Sequence, residues 1–486
     1  MTGEWTGPLE RVGEHRWLLP KRYKAGMLTD GLIYADGKTL TTIRADQAPE
    51  QVANVACLPG IVGRSLAMPD IHWGYGFPIG GVAATRRKGG VISPGGVGYD
   101  INCGVRLLST ALSAKDIAKR IHDLMDGLFK DIPSGVGVSG RLKLDEAAMD
   151  QVLEQGARWA VEQGYGFPRD LDATEEGGAM KGADSGRVSP KAKRRGLPQL
   201  GTLGSGNHFV ELEVVDEVYD QEAAEAYGLQ VGQVCVAIHT GSRGLGHQVC
   251  TDYLEVMARA SRKYGIALPD RQLACAPLNS PEGEEYLAAM AAAANYAWAN
   301  RQCLTHWVRQ AVVRVLNVAD PDDLKLDVVY DVAHNIAKLE THTVDGEELA
   351  LCVHRKGATR AFPRGHRELP AAYRHVGQPV LVPGDMGRAS YVLAGAEGAM
   401  AETFGSACHG AGRLLSRTAA KKGITGATLR KELASRGIVV RAAQDSALAE
   451  EAPDAYKDVD DVVRVTHEAG LARRVARLKP LGVMKG

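Results

Sequence analysis

The most constraining feature of the sequence is the segment 94–106, PGGVGYDINCGVR, which is too rich in glycine for a regular helix or strand. Its first glycines allow backbone angles that other residues avoid, so the chain can turn tightly and present Asp100 and Cys103 on one side. A carboxylate beside a thiolate suggests a metal site. The alternative is a structural turn with an exposed acid and a buried cysteine, because free cysteine is among the most buried residue types. Taken alone, the segment favours that alternative.

Length and composition predict a large, well-packed cytoplasmic protein. The 486 residues, 45% of them hydrophobic and 24% charged, suffice for one large domain or two to three ordinary ones. The 58 basic and 58 acidic residues cancel, so any polyanionic partner would have to bind a local basic patch, and the net charge neither supports nor excludes nucleic acid. Eight cysteines without a C-x-x-C pair are typical of reduced thiols. Because neither a signal-peptide pattern nor a membrane-spanning apolar run occurs, we expect no membrane association.

Apolar periodicity predicts alternating helices and strands. The predicted elements are a helix after a cap at Ser113, helices over 145–163, 248–264 and 284–316, and strands over 234–238 and 327–333. Residues 1–60 predict a small β-rich lead-in, and residues 167–206 predict a charged connection interrupted by glycine and proline. Segment 135–140 formally matches G-x-G-x-x-G, but no strand leads into it, so we discount a dinucleotide site.

Polar side chains gather where the predicted strands meet loops. His239 and His334 each end an apolar strand, a position at which a rigid scaffold aims a side chain while the loop leaves it accessible. The glycine-rich run 201–206, just before an asparagine and a histidine, resembles a phosphate cradle that would work through backbone N–H groups. Asp70 and His72 are predicted in another glycine-rich loop and are left out of the ligand set. They either support that set from outside or, as is more common for a lone residue in a loop, are simply solvated or hydrogen-bonded.

Five side chains at such positions are potential metal ligands, namely Asp100, Cys103, His208, His239 and His334. Their number makes a metal site the better interpretation, because together they supply two small ligand sets with one residue left to bridge. The thiolate favours Zn²⁺ and the carboxylate favours Mn²⁺, so the residues leave the metal open. A binuclear site is typical of chemistry on phosphates, since paired ions stabilise the attacking and leaving oxygens together.

His409 is a further candidate, followed by Gly-Ala-Gly and then Arg413. Small residues let a large group approach the imidazole, and arginine suits phosphate binding. A histidine can act as a nucleophile at phosphorus. For any single histidine of this kind, a structural role is the alternative.

Five motifs, in order along nearly the whole chain, resemble those of the RtcB family of tRNA-splicing RNA ligases. They are Asp100-x-x-Cys103, Gly204-Ser-Gly-Asn-His208, His239-Thr-Gly-Ser-Arg-Gly, Ala333-His-Asn335 and His409-Gly-Ala-Gly-Arg413. The N-terminal portion, with Trp17-Leu-Leu-Pro-Lys-Arg, is similar to the archaeal-type branch. The resemblance implies a single compact α/β domain over residues 1–486, with mixed β-sheets flanked by helices and an active site formed by strand-end loops.

The resemblance also implies GTP as cofactor and two Mn²⁺ ions. The implied ligand set is Cys103 between both ions, Asp100 and His208 on one ion, and His239 and His334 on the other. His409 would attack the α-phosphorus of GTP to give a histidine-guanylate. An RNA 2′,3′-cyclic phosphate would open to a 3′-phosphate, which takes the guanylyl group, and the 5′-hydroxyl of the other RNA piece would then expel GMP.

Contacts with guanylate and RNA follow from the same resemblance. The implied guanylate contacts are Asn207, His208, Phe209, Val210, Glu211, His334, Asn335, Pro383, Gly384, Asp385, Met386, Ser390, His409, Gly410, Ala411, Gly412, Tyr456 and Lys485. Tyr456 is the candidate for stacking on the base. Arg195 and Arg243 fall where the family places phosphates of the RNA termini. Asp385 departs from the expected Ser or Thr, and an acid there would repel a phosphate unless it faces the base or a water.

The expected partners are tRNA halves or other broken RNA ends, with archease as an activator, and we expect the chain to act as a monomer.

Two other functions remain open. One is a binuclear metal phosphodiesterase that opens cyclic phosphates without a nucleotide, which would give His409 no covalent role. The other is a non-catalytic RNA-binding protein, which would leave the ligand set unexplained. A lysine-type nucleotidyl ligase is disfavoured because the chain has no K-x-D-G sequence.

Overall fold

The computed structural model describes residues 4–486 as strands and helices that alternate along the chain. The strands are β1 (Glu10–Gly13), β2 (Arg16–Leu19), β3 (Gly31–Tyr34), β4 (Ile61–His72), β5 (Ile79–Arg86), β6 (Val91–Ile92), β7 (Gly104–Ser113), β8 (Phe209–Val218), β9 (Gln233–Thr240), β10 (Ala276–Pro277), β11 (Asp327–Ala333), β12 (Asn335–Val344), β13 (Glu347–Lys356), β14 (Ala358–Arg360), β15 (Pro379–Val382), β16 (Ser390–Gly395), β17 (Ser406–Cys408), β18 (Val439–Ala442) and β19 (Ala472–Lys485).

Helices fill the connections between these strands. They are α1 (Gly37–Arg44), α2 (Ala48–Val55), α3 (Ala114–Ile117), α4 (Ile121–Asp131), α5 (Glu146–Gln155), α6 (Ala157–Glu162), α7 (Pro168–Asp172), α8 (Pro190–Gly196), α9 (Gln221–Ala226), α10 (Arg243–Lys263), α11 (Pro281–Leu316), α12 (Glu397–Glu402), α13 (Arg417–Gly423), α14 (Gly426–Ser435), α15 (Asp445–Glu450) and α16 (Val459–Glu468). Among the residues described, no helix is both long and apolar enough to cross a bilayer.

Two large mixed sheets organise the fold. The first has the order β1-β2-β3-β4-β5-β13-β12, and the second has the order β11-β7-β9-β8-β19-β16-β15, with β18 paired to β19. Most neighbours are antiparallel, but β3 pairs with β4 and β18 pairs with β19 in parallel. These mixed sheets, with helices packed against them, confirm the expected α/β fold.

The second sheet brings four strand ends to one edge. Gly104, the first residue of β7, lies opposite Ala333 at the end of β11 and opposite Thr240 at the end of β9. Phe209, the first residue of β8, lies opposite His239. The residues that begin or end these four strands are therefore neighbours in space, although Gly104 and Ala333 are 229 positions apart along the chain.

The long helix α11 is the centre of the largest hydrophobic cluster. It begins at a Ser280 cap with a proline in its first turn, and it ends at Asn317, whose φ of 54° is left-handed. Its middle is rich in alanine and fully buried, so neighbouring helices approach its backbone closely. α4, α5, α6 and α10 pack on it, and α11 in turn supports the strand ends described above.

The predicted helices and strands are largely confirmed. The strand over 327–333 has the predicted bounds, and the helix over 145–163 is divided at Gly156, whose φ is +59°. Ser113 forms the predicted cap, accepting from the N–H of Asp116. Segment 135–140 is irregular, as expected from the missing strand before it.

The predicted β-rich lead-in is only partly correct, and its residues 1–3 lie outside the described part of the chain. β1, β2 and β3 are strands, but they belong to the first large sheet, and α1 and α2 follow them. An Asp36 capping box with Thr39 begins α1, and Pro49 in the first turn begins α2. The predicted connection over 167–206 also contains two short helices, α7 and α8.

Candidate active site

Five predicted metal ligands converge at the edge where β7, β8, β9 and β11 end. Asp100 and Cys103 lie in the turn before β7, His208 directly precedes β8, His239 is the penultimate residue of β9, and His334 follows β11. This placement follows from the strand register, which puts the four ends side by side.

The ligand atoms are close enough to share metal ions. Cys103 Sγ lies 3.2 Å from His239 Nε2 and 3.6 Å from His208 Nε2, and His208 Nε2 lies 2.9 Å from Asp100 Oδ2. The imidazole rings of His239 and His334 are 5.6 Å apart, centre to centre. Cys103 Sγ therefore lies between His208 and His239, and the ligand atoms of Asp100, Cys103 and His208 all lie within 4.8 Å of one another.

Contacts behind the histidines orient their rings. Nδ1 of His334 lies 2.9 Å from Thr359 Oγ1, and Nδ1 of His208 lies 3.0 Å from the carbonyl of Leu203. Nε2 of His334 is buried and, within residues 4–486, has no hydrogen-bond partner. An imidazole held at one nitrogen and unpaired at the other is the usual arrangement of a metal-bound histidine. The unpaired Nε2 of His334 is therefore placed as a metal ligand would be.

The electrostatics of the cluster call for a cation. Burial lowers the pKa of His239 and of His334 well below the usual range, so both imidazoles are neutral ligands. Burial opposes ionisation of Asp100, but the hydrogen bond and the electrostatic interaction with His208 bring the pKa of that carboxyl to about 2, while burial lowers the pKa of His208 itself. Burial and then the Asp100 charge raise the pKa of the Cys103 thiol. A thiolate at this position is stable only beside metal ions, which lower the pKa of a bound thiol.

The turn that carries Asp100 and Cys103 has the tight backbone that its glycines predict. Gly98 has a φ of 94°, and Asn102 is left-handed with a φ of 51°. Asn102 Nδ2 donates to the carbonyl of Ala294 in α11 at 2.8 Å, and the buried Arg301 of α11 donates to the carbonyl of Asn102 at 2.8 Å. The helix thus fixes the turn from below.

His409 lies next to the cluster at the end of β17. Its ring is 5.3 Å from that of His334, centre to centre. Nδ1 lies 2.6 Å from Oδ2 of the fully buried Asp70, which also accepts from the backbone N–H of His409 at 3.0 Å. Donation to the carboxylate keeps the proton on Nδ1, so Nε2 is the basic nitrogen. Asp70 therefore supports the nucleophile candidate rather than the metal ligands.

The small residues after His409 allow the backbones to pack closely. Gly412 has a φ of +75°, and a Cβ there would lie 2.2 Å from the carbonyl oxygen of Asp70. Lys457 also belongs to this contact, since its backbone N–H donates to the Gly412 carbonyl at 2.9 Å and its buried ammonium donates to the carbonyls of Pro69 and Ile71. The glycine is required to bring the Asp70 strand against the His409 loop.

A cavity of about 320 Å³ opens beside His409 and the metal cluster. Its lining includes most of the predicted guanylate contacts, namely Asn207, Phe209, Glu211, His334, Asn335, Pro383, Gly384, Asp385, Met386, His409, Gly410, Ala411, Gly412, Tyr456 and Lys485. Val210 and Ser390 do not line it. Val210 points to the opposite face of β8, because side chains alternate along a strand, and Ser390 Oγ lies behind the wall, 3.4 Å from the N–H of Gly384. His208 lies beside the cavity in the metal cluster.

Acidic groups gather in one part of the cavity. Burial raises the pKa of Glu211, and the neighbouring Glu213 raises it further. Asp385 Oδ1 accepts from the N–H of Gly387 at 2.9 Å, its other oxygen lies 3.1 Å from the guanidinium of Arg388, and burial raises its pKa. Carboxyl groups of this kind can accept hydrogen bonds from the N–H groups of a base.

Tyr456 has one ring face against a cation. The guanidinium of Arg413 lies 4.9 Å from the ring centre, and it donates to the tyrosine hydroxyl at 3.0 Å. Glu451, nearly fully buried, accepts from both groups. The arginine is thus engaged in the cavity wall, and the tyrosine is a fixed aromatic surface.

The two predicted RNA-binding arginines lie near each other at the first turns of α10. Arg195 donates to Gln248 at 3.0 Å and is exposed. Arg243 Nη1 lies 2.9 Å from Nδ1 of His208, and its Nε is buried without a hydrogen-bond partner in the described part of the chain. If Nδ1 of His208 donates to the Leu203 carbonyl, it cannot also accept from Arg243. Arg243 is therefore short of acceptors, which suits an anion.

Sequence reasoning missed several residues that line the cavity. They are Tyr75, Tyr99, Lys356, Arg417 and Glu451. Tyr75 and Tyr99 lie beside the glycine-rich turns that the sequence singled out, so an aromatic next to such a turn was a usable signal. Nothing in the sequence places Lys356, Arg417 or Glu451 near the other residues.

Comparisons with known proteins agree with these motifs. The family model described as tRNA-splicing ligase RtcB matches residues 51–486. A protein from Thermococcus kodakarensis named tRNA-splicing ligase RtcB is 60% identical over 479 residues, and one of the same name from Archaeoglobus fulgidus is 57% identical over 480 residues, with 99% of both chains covered in each case. A Mycobacterium tuberculosis protein named RNA-splicing ligase RtcB is 57% identical over 439 residues, which are 90% of this chain and all of that protein.

Proposed function

The chain belongs to the RtcB family of tRNA-splicing ligases and is an RNA ligase, and from this premise we propose that it joins RNA ends in tRNA splicing through a histidine-guanylate formed from GTP. Its RNA substrates would end in a 2′,3′-cyclic phosphate or 3′-phosphate on one piece and a 5′-hydroxyl on the other. The observation that carries the proposal is the hydrogen bond from His409 Nδ1 to buried Asp70. It leaves Nε2 as the basic nitrogen, and His409 lies next to His334, one of the candidate metal ligands.

We propose Mn²⁺ as the pair of ions. Cys103 would touch both, and the remaining ligands would divide as Asp100 with His208 and His239 with His334. The mixture of oxygen, nitrogen and sulfur donors, the buried unpaired Nε2 of His334 and the need of Cys103 for a nearby cation all fit such a pair. When bound, the ions would hold phosphate oxygens and neutralise their developing charge.

His409 would carry the covalent step. Its Nε2 forms a bond with the α-phosphorus of GTP, and pyrophosphate leaves. Asp70 keeps the ring in position and stabilises the charge that the imidazole gains in this step. An oxygen of the RNA 3′-phosphate then takes the guanylyl group from His409, and the RNA 5′-oxygen attacks that 3′-phosphate and expels GMP. Water opens a cyclic phosphate beforehand.

The cavity would hold the guanylate. Glu211 and Asp385 would accept from the base, Tyr456 would lie against it, and Lys485, whose ammonium is 5.4 Å from the centre of the Phe209 ring, would contribute positive charge. Asp385 at this position is compatible with GTP if it faces the base rather than a phosphate, which avoids repulsion between two anions.

Labelling with GTP tests the proposal. Protein incubated with GTP labelled at the α-phosphate and Mn²⁺ is expected to gain a label that acid removes and alkali does not, as for a phosphoramidate. His409→Ala should abolish the label. His122→Ala, which removes an exposed histidine on α4, should leave it unchanged.

The alternatives give different results. A metal phosphodiesterase without a nucleotide would open a cyclic phosphate but gain no label from GTP. A non-catalytic RNA-binding protein would do neither. Label that survives His409→Ala would contradict the assignment of the nucleophile while leaving family membership intact.

A further inference from the structure

Three aromatic rings form a continuous series from the cavity to the surface. Tyr75 and Tyr99 line the cavity, with ring centres 5.4 Å apart in an edge-to-face arrangement. Tyr99 stacks on His247, with ring centres 4.7 Å apart and an angle of 26° between the planes. His247 is exposed, so its ring has one face on Tyr99 and the other available to a flat partner. The reaction proposed above uses none of these rings.

Positive charge surrounds the outer ring of this series. His247 lies one turn after Arg243, which begins α10 with a left-handed φ of 52°. Arg195 lies over the same turns, where it contacts Gln248. The helix begins at Ser242, whose N–H donates to Asp100 Oδ1 at 3.1 Å, so its positive end points at the metal cluster. The first turns of α10, with Arg195 and Arg243, therefore suit the phosphates of a nucleic-acid strand, and the neighbouring His247 ring suits one of its bases.

The order of the histidines indicates which RNA end lies here. His208, His239, His334 and His409 follow one another with ring centres 5.6, 5.6 and 5.3 Å apart. The 3′-phosphate must reach the guanylyl group at His409, at one end of this row. Arg243 touches His208 at the other end. We assign the strand on the α10 face, at the end of the row opposite His409, to the RNA piece that brings the 5′-hydroxyl.

We propose that an unpaired base at the 5′-hydroxyl end of the RNA stacks on the free face of His247, with Tyr99 and Tyr75 backing that ring and Arg195 and Arg243 holding the adjoining phosphates. The inference rests on the proposed function for the identity of the strand. Stacking of a base on a ring tolerates any sequence, because every base has a flat face. The site would therefore orient the end of the strand without selecting its bases.

Ligation kinetics with modified RNA test the stack. We expect His247→Ala to raise KM for the 5′-hydroxyl strand about tenfold, the size typical of one lost stacking contact. His247→Phe, which keeps a flat ring, should restore most of the affinity. An abasic first nucleotide should weaken binding to the wild-type protein by a similar factor, and it should add nothing further in His247→Ala. His366→Ala is the matched control, because His366 stacks on Phe362 with ring centres 3.8 Å apart, outside the cavity.

Two separate readouts distinguish failure of this inference from failure of the proposed function. Guanylylation by GTP without RNA should be the same in wild type and His247→Ala, and loss of label in the variant alone would indicate a structural role for the ring. Binding of an RNA with 2-aminopurine at its 5′-hydroxyl end needs no ligation, and its fluorescence should be quenched in wild type but not in His247→Ala. Equal quenching in both proteins, or additive effects of the abasic nucleotide and His247→Ala, would overturn the stack. A wild type without label would overturn the ligase mechanism instead.

Discussion

Asp70 is the single residue on which the proposed nucleophile depends most. We expect Asp70→Asn to slow guanylylation by about 10²-fold to 10⁴-fold, because an amide cannot stabilise the positive imidazole and can favour the wrong tautomer. Fold integrity is checked by circular dichroism, since the amide is nearly isosteric with the carboxylate. A variant that labels at the wild-type rate would show that the hydrogen bond to His409 is only structural.

Lys356 should give the protein a pH-dependent stability that a neutral side chain would lack. Its ammonium is buried against the carbonyls of Tyr75 and Phe77, and burial lowers its pKa to about 7 from an ordinary 10.5. Between these two values the unfolded chain binds the extra proton, so stability rises with pH, by at most about 1.4 kcal/mol per pH unit. The contribution of the neutral Lys356 amine to the free energy of unfolding is complete above pH 10.5 and is lost as the pH falls through 7.

Comparison with Lys356→Met isolates this contribution. Denaturant unfolding at pH 7 and pH 9 is expected to show the wild type gaining stability relative to the variant. The same difference at both pH values would mean that Lys356 stays protonated in the folded protein.

At the residue scale, the sequence identifies candidate functional residues better than it identifies the residues that hold them in place. The candidate metal ligands and His409 stand out because glycines and strand ends surround them. Asp70 was placed outside the ligand set, but its partner could not be identified, because it is 339 positions away along the chain. The resemblance predicts Val210 as a guanylate contact by its position in the motif, but the alternation of side chains along β8 points it away from the cavity.

Among the elements, α11 does most to hold the active-site loops. Its buried Arg301 forms two hydrogen bonds of 2.8 Å with the carboxylate of Asp331 in β11, and it also donates to the carbonyls of Asn102 and Thr240. The Arg301 side chain thus joins α11 to β9, to β11 and to the turn that carries Asp100 and Cys103.

Arg301→Ala should destabilise the protein by about 3–5 kcal/mol, because it leaves a buried acid with one partner fewer and strands the two carbonyls. The midpoint of urea unfolding measures this. The matched control is Arg169→Ala, which removes the exposed ion pair with Asp327 and should cost less than about 1 kcal/mol. Equal effects of the two changes would contradict the assigned role of α11.

Elements with a simple apolar pattern were the predictable ones. The strand at 327–333 and the helix after 284 follow directly from uninterrupted apolar residues and small residues. α1 and α2 are only eight residues each, and they begin at a capping box and at a proline in the first turn, so periodicity does not reveal them and the sequence predicts a β-rich lead-in. β19 contains several arginines and lysines among its apolar residues and ends with the buried Lys485. A pattern this rich in charge does not predict a strand in the interior of a sheet.

At the scale of the whole molecule, the five candidate metal ligands lie at the ends of four strands, so ions bound there would join these strands and their removal should affect global stability. We expect extensive treatment with EDTA to lower the melting temperature by a few degrees, and Mn²⁺ to restore it, because a ligand at about 100 times its Kd adds about 2.7 kcal/mol. Differential scanning calorimetry measures the shift. In Cys103→Ala the effect of Mn²⁺ should be much smaller, and an undiminished response would place the ions elsewhere.

The central place of β19 has a consequence for synthesis. This strand, the last in the chain, lies between β8 and β16 and also pairs with β18. While the ribosome still covers it, the edges of three finished strands face solvent, and the cavity lacks Lys485. Until β19 has left the ribosome and paired, the nascent chain has open edges that attract other strands, so we expect it to depend on chaperones and to acquire nucleotide binding only after residues 472–485 have been added to the sheet.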